Sequence, residues 1–139
     1  MDVIRRVFSF QAVFTRGLSL AGLILVVDDD PGTRGWVRAA LELEDYAVAI
    51  AVDGDEALAL VRAAEPALIL LDVRLPVRSG AETLATLREH GFLGPVVFMS
   101  AGTISEAEAL ARGAAAYLPK PFDIDCLLAV VAQFAGPAA

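Results

Sequence analysis

An apolar run that ends abruptly in a single carboxylate constrains this fold more than any other feature of the sequence. Residues 68–71 are Leu-Ile-Leu-Leu, Asp72 follows, and loop residues continue to Pro76. A short apolar run bounded by loop residues is typical of a strand buried on both faces of a parallel sheet. Ligands of open α/β sheets bind outside the carboxyl ends of such strands. We therefore expect Asp72 at a ligand-binding rim.

Three other strand-like runs also end in polar residues. They are residues 23–27 before Asp28, Asp29 and Asp30, residues 96–99 before Ser100, and residues 115–118 before Pro119, Lys120 and Pro121. If these strands are parallel neighbours, acids, a hydroxyl and an amine converge on one rim. Lys120 is the single lysine of the chain, and its compact ammonium is not interchangeable with a planar guanidinium at a tight site.

Strand-like and helix-like segments alternate five times from residue 23 onward. The predicted strands are residues 23–27, 46–52, 68–72, 96–99 and 115–118. Helix starts are indicated by residues that favour the N-cap, namely Asp30, Asp53, Ser79, Ser105 and Asp123. Strands separated by helices form right-handed βαβ crossovers. We therefore predict an α/β fold, a doubly wound five-stranded parallel sheet with helices on both faces, over residues 22–136.

Length and composition exclude several classes of protein. With 139 residues and 57% hydrophobic residues, the chain has the size of one domain and is too apolar to be disordered. A net charge of −7 argues against direct binding of nucleic acid, which requires clustered Lys and Arg. Cys126 is the single cysteine, so a disulfide framework is excluded, and its apolar neighbours predict a buried helix position. The default location is the cytoplasm.

Residues 1–21 are a basic N-terminal extension of an otherwise acidic chain. We expect a flexible segment or a short helix, and an amphipathic arm that meets a membrane or a partner is the alternative. The mostly apolar stretch of residues 18–27 is too short to span a bilayer, so no membrane span is expected. Residues 137–139 are expected to be a tail.

Taken in order, the residues at the strand ends resemble a response-regulator receiver domain, the phosphoacceptor half of two-component signalling. The matching segments are residues 25–31 (LVVDDDP), 71–76 (LDVRLP) with Gly80, 99–101 (MSA) and 117–122 (YLPKPF). The resemblance covers residues 23–135 and implies a flavodoxin-like (βα)5 fold. It also implies a phosphoprotein of a phosphorelay rather than an enzyme, whose only reactions are its own phosphorylation and dephosphorylation.

The resemblance implies a nucleophile and a metal site. Asp72 would accept a phosphoryl group, because a carboxylate can form an acyl phosphate. Asp28, Asp29, Asp72 and the main-chain carbonyl of Arg74 would hold Mg²⁺ or Mn²⁺, and Mg²⁺ is a hard cation that favours oxygen ligands. Asp30 is better explained as the N-cap of the first helix than as a ligand.

The resemblance also implies a switch beside the nucleophile. Lys120 would pair with the phosphoryl oxygens, and the peptide bond between Lys120 and Pro121 would be cis. Ser100 would donate its hydroxyl to the phosphoryl group after transfer, and Tyr117 matches the aromatic switch position of the family. A plain half-buried strand tyrosine is the alternative at that position.

Three features depart from the family pattern. Ser79 stands where the family usually has an acid before Gly80. Arg74 and Gly102 occupy positions that influence how long the phosphoryl group survives. The stretch from Ser100 to Lys120 is about two residues short around the fourth helix, which affects partner choice or dimer geometry.

The leading hypothesis is a stand-alone receiver that takes phosphate from a histidine kinase or a phosphotransfer protein and signals to a downstream protein. About 17 residues follow Phe122, so we expect no fused output domain. One alternative is a haloacid-dehalogenase-like phosphatase with Asp28 as nucleophile, and another is a phosphorylation-silent receiver that acts as an interaction module. The sequence names neither the kinase nor the pathway, and it leaves a homodimer open.

Overall fold

The computed structural model describes residues 22–137, and these residues build a five-stranded parallel sheet. The strands are β1 (Ile24–Val27), β2 (Val48–Ala51), β3 (Leu68–Asp72), β4 (Val96–Ser100) and β5 (Ala116–Pro119). Their order across the sheet is β2-β1-β3-β4-β5, and every neighbouring pair is parallel. The predicted doubly wound parallel sheet is confirmed, with β3 at its centre.

Five helices connect or follow the strands in the described part of the chain. They are α1 (Pro31–Leu43), α2 (Gly54–Ala63), α3 (Gly80–Glu89), α4 (Glu106–Ala111) and α5 (Ile124–Ala135). Each begins after a side chain that accepts a hydrogen bond from the backbone N–H three residues further on, and these caps are Asp30, Asp53, Ser79, Ser105 and Asp123. All five predicted N-caps are therefore confirmed. Each such cap stabilises its helix by about 1 kcal/mol.

The two faces of the sheet carry separate apolar clusters because side chains alternate along each strand. One face packs against α2, α3 and α4, with core residues Leu25, Ile69, Leu71, Phe98, Leu60, Leu84, Leu87 and Ala109. The other face packs against α1 and α5, with core residues Ile24, Val26, Leu68, Leu70, Val97, Val37, Leu41, Leu127 and Val131. Strands β1, β3 and β4 are buried on both faces, which explains their continuous apolar sequences.

The second strand is shorter than the sequence predicts. Tyr46 belongs to the turn after α1, because its backbone N–H donates to the carbonyl of Leu41. Its hydroxyl donates to the carbonyl of Gly136 at 2.8 Å, so the ring is fixed by the end of α5 rather than by a neighbouring strand. An alternating apolar sequence does not reveal such a contact between distant parts of the chain.

The prediction that Cys126 is buried is wrong. The side chain is exposed on α5, one position before the buried Leu127. Leu127 and Val131, four residues apart, form the face of α5 that meets the sheet. Because α5 is apolar around most of its circumference, apolar neighbours in the sequence do not show which face a residue occupies.

The predictions on residues 1–21 and on the last two residues of the tail lie outside the described residues. Within residues 22–137, no helix has both the length and the apolar character that crossing a bilayer requires.

The loop between β3 and α3 contains a strained turn at Val77. The φ angle of Val77 is +68°, and the N–H of Arg78 donates to the carbonyl of Pro76 at 2.7 Å. A three-residue turn with a positive φ at its centre is rare, and a β-branched residue is a poor occupant of that region. Val77 is 95% exposed, so burial does not offset the strain.

We expect Val77→Gly to raise the free energy of unfolding by about 1 kcal/mol. Relief of the backbone strain outweighs the larger conformational entropy that glycine brings to the unfolded chain. Urea unfolding checks this as a higher midpoint with an unchanged slope. Leu93→Gly is the control, because Leu93 is also exposed but has a negative φ and should gain nothing. An equal or lower midpoint for Val77→Gly would contradict the assignment of strain.

Candidate functional site

Polar residues from four strands meet at one rim of the sheet. Asp28 follows β1, Asp72 and Ser100 are the last residues of β3 and β4, and Lys120 follows β5. These strands are consecutive neighbours in the sheet, and the chain reverses its direction of winding between β1 and β3. Ligands of doubly wound sheets bind at such a switch point, outside the carboxyl ends of the strands. The expected convergence is present.

Lys120 links two buried carboxylates. Its Nζ lies 2.7 Å from Oδ2 of Asp28 and 3.4 Å from Oδ2 of Asp72. Asp28 is fully buried and Asp72 is 6% exposed. Burial alone would lower the pKa of Lys120, but the hydrogen bond to Asp28 and the charges of both carboxylates raise it above its ordinary value. The ammonium is therefore charged at neutral pH.

The carboxyl group of Asp72 is held in an unfavourable environment. Burial raises its pKa to about 6, the backbone N–H of Arg74 opposes this by donating to Oδ1 at 3.1 Å, and the charge of Asp28 adds to the rise. Lys120 also lowers it, but not enough to cancel the effect of burial. Binding of a cation next to Asp72, or of a group that neutralises its negative charge, would therefore be favoured at this position.

Three carboxylates are close enough to hold one metal ion. Asp28, Asp29 and Asp72 each offer an oxygen, and these oxygens all lie within 4.8 Å of one another. The backbone N–H of Asp30 donates to Oδ1 of Asp28 at 2.9 Å, so the chain is already turning after β1 and two consecutive acids can face one point. An all-oxygen ligand set suits Mg²⁺ or Mn²⁺, so the residues fit the expected metal. The main-chain carbonyl of Arg74 stays a predicted further ligand.

Asp30 lies outside this group of three carboxylates. Its Oδ2 accepts hydrogen bonds from the backbone N–H of Thr33 at 3.0 Å and from the Thr33 hydroxyl at 2.6 Å. These bonds hold the pKa of Asp30 below its ordinary value. Asp30 is thus the N-cap of α1, as the sequence indicates.

The Ser100 hydroxyl is engaged with the loop that follows β4. Its Oγ accepts from the N–H groups of Gly102 and Thr103 at 3.2 Å and lies 3.0 Å from Oγ1 of Thr103. Thr103 was not singled out by the sequence, although a serine with a threonine three residues later is a spacing at which side chains bind local backbone. Ser100 reaches Lys120 through its carbonyl, which accepts from the Lys120 N–H at 2.7 Å.

Tyr117 fixes the far end of the same loop. Its ring is half-buried, and its hydroxyl donates to the carbonyl of Ile104 at 3.0 Å. Residues 101–104 are therefore tied to Ser100 at one end and to Tyr117 at the other. Ile104 is a second residue that sequence reasoning missed, because a carbonyl acceptor leaves no signal in the side chain.

Two backbone features support the site. The Lys120–Pro121 peptide bond is cis. A Cβ at Gly80 would overlap the carbonyl oxygen of Asp72 and lie 2.8 Å from Cα of Val73, so only glycine allows α3 to begin this close to the end of β3. The Gly80 N–H also donates to the Val73 carbonyl at 2.9 Å. The start of α3 thereby braces the loop behind Asp72.

We expect Asp72→Asn to stabilise the metal-free protein at neutral pH. The folded chain retains the Asp72 proton up to about pH 6, whereas an unfolded Asp releases it near pH 4. The contribution of Asp72 to the unfolding free energy of the wild type therefore falls as pH rises from about 4 to about 6 and stays constant above that range. The variant escapes this loss and should be more stable by about 2 kcal/mol at about pH 7.5, with no gain near pH 4.

Urea unfolding of both proteins across this pH range, in the presence of a metal chelator, measures the difference in unfolding free energy. Asp125→Asn is the matched control, because it makes the same change at an acid that is exposed on α5, away from the rim. A variant at Asp72 that is no more stable than the wild type at about pH 7.5 would contradict the unfavourable environment of this carboxylate.

Known proteins share this sequence pattern and this fold. The family model for the response regulator receiver domain matches residues 24–132. The response regulator MprA of Mycolicibacterium vanbaalenii is 43% identical over 108 residues, which cover 76% of this chain and 47% of that protein. The chain thus spans about half the length of the curated relatives it matches.

Solved structures agree with the family match. The receiver domain of the Francisella response regulator 1452 has a TM-score of 0.77 and 31% identity, over 82% of this chain and 96% of that one. The receiver domain of the sensor histidine kinase PA1611 from Pseudomonas aeruginosa has a TM-score of 0.76 and 27% identity, over 83% and 98% of the two chains, and holds a magnesium ion in its active-site cleft. The chain therefore belongs to the response regulator receiver domains of two-component signalling.

Proposed function

We propose that Asp72 accepts a phosphoryl group from a histidine kinase or a phosphotransfer protein in a Mg²⁺-dependent reaction, and that phosphorylation switches a protein-binding surface. One observation carries this proposal: the ammonium of Lys120 bridges the carboxylates of Asp28 and Asp72, which are two of the three acids that could hold one metal ion. The ammonium, together with a metal ion held by these acids, would supply positive charge where a phosphoryl group arrives, next to a carboxylate nucleophile.

The contacts of the two buried acids favour Asp72 as the nucleophile. Both oxygens of Asp28 accept short hydrogen bonds, one from the Asp30 N–H at 2.9 Å and one from Lys120 at 2.7 Å. Asp72 is held more loosely, at 3.1 Å from the Arg74 N–H and 3.4 Å from Lys120, and it keeps a small exposed area. In the phosphatase alternative Asp28 is the nucleophile. A fully buried carboxylate, with a hydrogen bond to each of its oxygens, would then have to react.

The residues at the rim divide the work of phosphoryl transfer. Asp72 supplies the attacking oxygen, and Lys120 pairs with the phosphoryl oxygens during the transfer. A Mg²⁺ ion held by Asp28, Asp29 and Asp72 would offset the repulsion among these acids and neutralise phosphoryl charge. The protein thereby acts as a phosphoacceptor in signalling rather than as a classical enzyme.

The contacts of Ser100 and Tyr117 support a switch at the loop of residues 101–104. A Ser100 hydroxyl that donates to a phosphoryl group cannot at the same time donate to Oγ1 of Thr103, which lies 3.0 Å away. The loop then loses this contact at one end, while Tyr117 holds the other end at Ile104. Phosphate would thus bias the loop between two arrangements, and the changed surface would be read by another protein.

We extend the proposal to output through a downstream protein rather than direct contact with nucleic acid. The support is the net charge of −7, because a surface that binds phosphate backbones requires clustered basic residues. A stand-alone receiver of this kind would depend on that downstream protein to produce the response to phosphorylation.

Intact-protein mass after incubation with acetyl phosphate tests the phosphoacceptor. We expect the wild type to gain one phosphoryl group only when Mg²⁺ is present, and Asp72→Asn to gain none. Asp125→Asn is the control, since it removes an exposed acid away from the rim and should label like the wild type. A label that persists in Asp72→Asn and disappears in Asp28→Asn would favour the phosphatase alternative. If the wild type gains no mass, a beryllofluoride titration distinguishes the two explanations. A receiver that loses its phosphoryl group rapidly should still bind beryllofluoride, whereas a phosphorylation-silent receiver should not.

Tyr117→Phe should loosen the loop of residues 101–104 without abolishing phosphorylation. The change removes one hydrogen bond worth about 1 kcal/mol, so we expect amide exchange in this loop to be about fivefold faster in the unphosphorylated protein. Hydrogen exchange followed by NMR measures it. Tyr46→Phe is the matched control, because its hydroxyl bonds Gly136 and not this loop. Unchanged exchange in Tyr117→Phe would contradict the anchoring role.

A further inference from the structure

Arg34 contacts the backbone at the acidic rim from the start of α1. Its Nη1 donates to the main-chain carbonyl of Asp28 at 2.9 Å. The N–H of Arg34 itself donates to the carbonyl of Asp30 at 3.0 Å, at the beginning of the helix. Side chains of a helix lean towards its N-terminus, so a long side chain at this position reaches back to the end of the preceding strand. Arg34 thereby connects α1 to the residue that follows β1.

We propose that Arg34 is a positioning residue for the metal site, and that it holds the turn after β1 in the form that lets Asp28 and Asp29 face one Mg²⁺ ion. The inference rests on the proposed Mg²⁺-dependent phosphorylation of Asp72. Arg34 acts through the backbone of Asp28, without contact to the metal or to the phosphoryl group.

The contacts of Asp28 show what Arg34 contributes. Asp28 is fully buried, its N–H donates to the carbonyl of Ala51 at 3.1 Å, and its carbonyl accepts from Arg34. Its carboxylate oxygens accept from the Asp30 N–H and from Lys120. A buried carbonyl that loses its partner must stay unsatisfied, which costs free energy, or move towards water. Loss of Arg34 therefore favours a shift of the backbone between β1 and α1.

The position of Asp29 depends on this stretch of backbone. Asp29 is exposed, unlike Asp28 and Asp72, so burial does not fix its carboxylate. Consecutive residues of a strand point to opposite faces, and Asp29 comes within 4.8 Å of the other two carboxylates because the chain turns directly after β1. Mg²⁺ demands a nearly ideal octahedral arrangement of its ligands. A shift of the turn would therefore weaken the binding of Mg²⁺.

Stabilisation of α1 does not account for an arginine at this position. The N-terminus of a helix carries a partial positive charge, so a cation near it is slightly unfavourable for the helix. Arg38 lies four residues further on, and like charges at this spacing repel each other. Arg38 pairs with Glu42 at 3.3 Å, whereas Arg34 is directed towards the rim. Arg38 is therefore a matched control for Arg34 on the same helix.

The charge of Arg34 and its contact with Asp28 have opposite effects on the binding of Mg²⁺. A cation near the acidic rim repels a second cation, so loss of the charge alone should strengthen Mg²⁺ binding. Loss of the contact should weaken it. The sign of the change therefore separates the two effects, and high salt suppresses the first because it screens charges.

The dissociation constant for Mg²⁺, measured by NMR titration of the backbone N–H signals at the rim in the unphosphorylated protein, tests this inference. Arg34→Met keeps an unbranched side chain and removes the donors. In about 1 M KCl it should raise the dissociation constant about tenfold, which corresponds to about 1.4 kcal/mol. Arg34→Lys keeps a charged donor and should restore part of the lost affinity. Arg38→Met makes the same change one turn further along α1 and should alter the constant less than about twofold.

Two further measurements separate positioning from other roles. At saturating Mg²⁺, the rate constant for labelling of Arg34→Met by acetyl phosphate should reach the wild-type value, because the substitution affects the affinity for the metal and not the nucleophile. In the unaltered protein, Mg²⁺ should shift the NMR signals of the Arg34 guanidinium and not those of Arg38. A deficit that persists at saturation, or an unshifted Arg34 signal, would overturn the positioning role.

The outcomes also distinguish this inference from the proposed function. If the wild type binds Mg²⁺ and is labelled, while Arg34→Met binds Mg²⁺ equally well or more tightly, the inference fails and phosphorylation of Asp72 stands. If the wild type itself binds no Mg²⁺, the metal-dependent function and the inference fail together.

Discussion

The ion pairs of Lys120 with Asp28 and Asp72 are the interaction on which the rest of the site depends. Two carboxylates buried at the ends of neighbouring strands repel each other, and a buried charge without a partner costs several kcal/mol. Lys120 reaches both from the end of β5, so one ammonium connects three strands that are far apart in the sequence. The ammonium compensates only part of the charge of the acids, which leaves the rim negative and ready for a cation.

The site is stabilised by the fold rather than by its own contacts. The apolar clusters on the two faces of the sheet bury β1, β3 and β4 completely, and this burial is the main favourable contribution to folding. Against it stand the raised pKa of Asp72 at the end of β3 and the positive φ of Val77 in the loop that follows β3. Two features that cost stability therefore lie at or after the end of the central strand, and the apolar core offsets them.

The sequence predicts those parts of the structure that depend on local patterns. Apolar runs ending in Asp72 and Ser100 locate two strand ends, and the N-caps locate the helix starts, because both signals lie within a few residues. Hydrogen bonds from a side chain to a distant backbone carbonyl leave no such signal. The bonds from Tyr117 to the Ile104 carbonyl and from Tyr46 to the Gly136 carbonyl belong to this second class. The sequence also did not show that Cys126 lies on the exposed face of α5, since its neighbours in the sequence are mostly apolar.

Lys120 belongs both to the acidic rim and to the lining of a cavity beside α1, and this sharing determines which substitutions can separate the two. Any change at Lys120 alters the charge next to Asp72 and the lining of the cavity together, so it cannot separate the contribution of one from that of the other. Trp36 is different, because its ring contact is with Phe122 on the cavity wall and not with the acids. A substitution at Trp36 or Phe122 therefore changes the cavity while the ion pairs of Lys120 with Asp28 and Asp72 stay as they are.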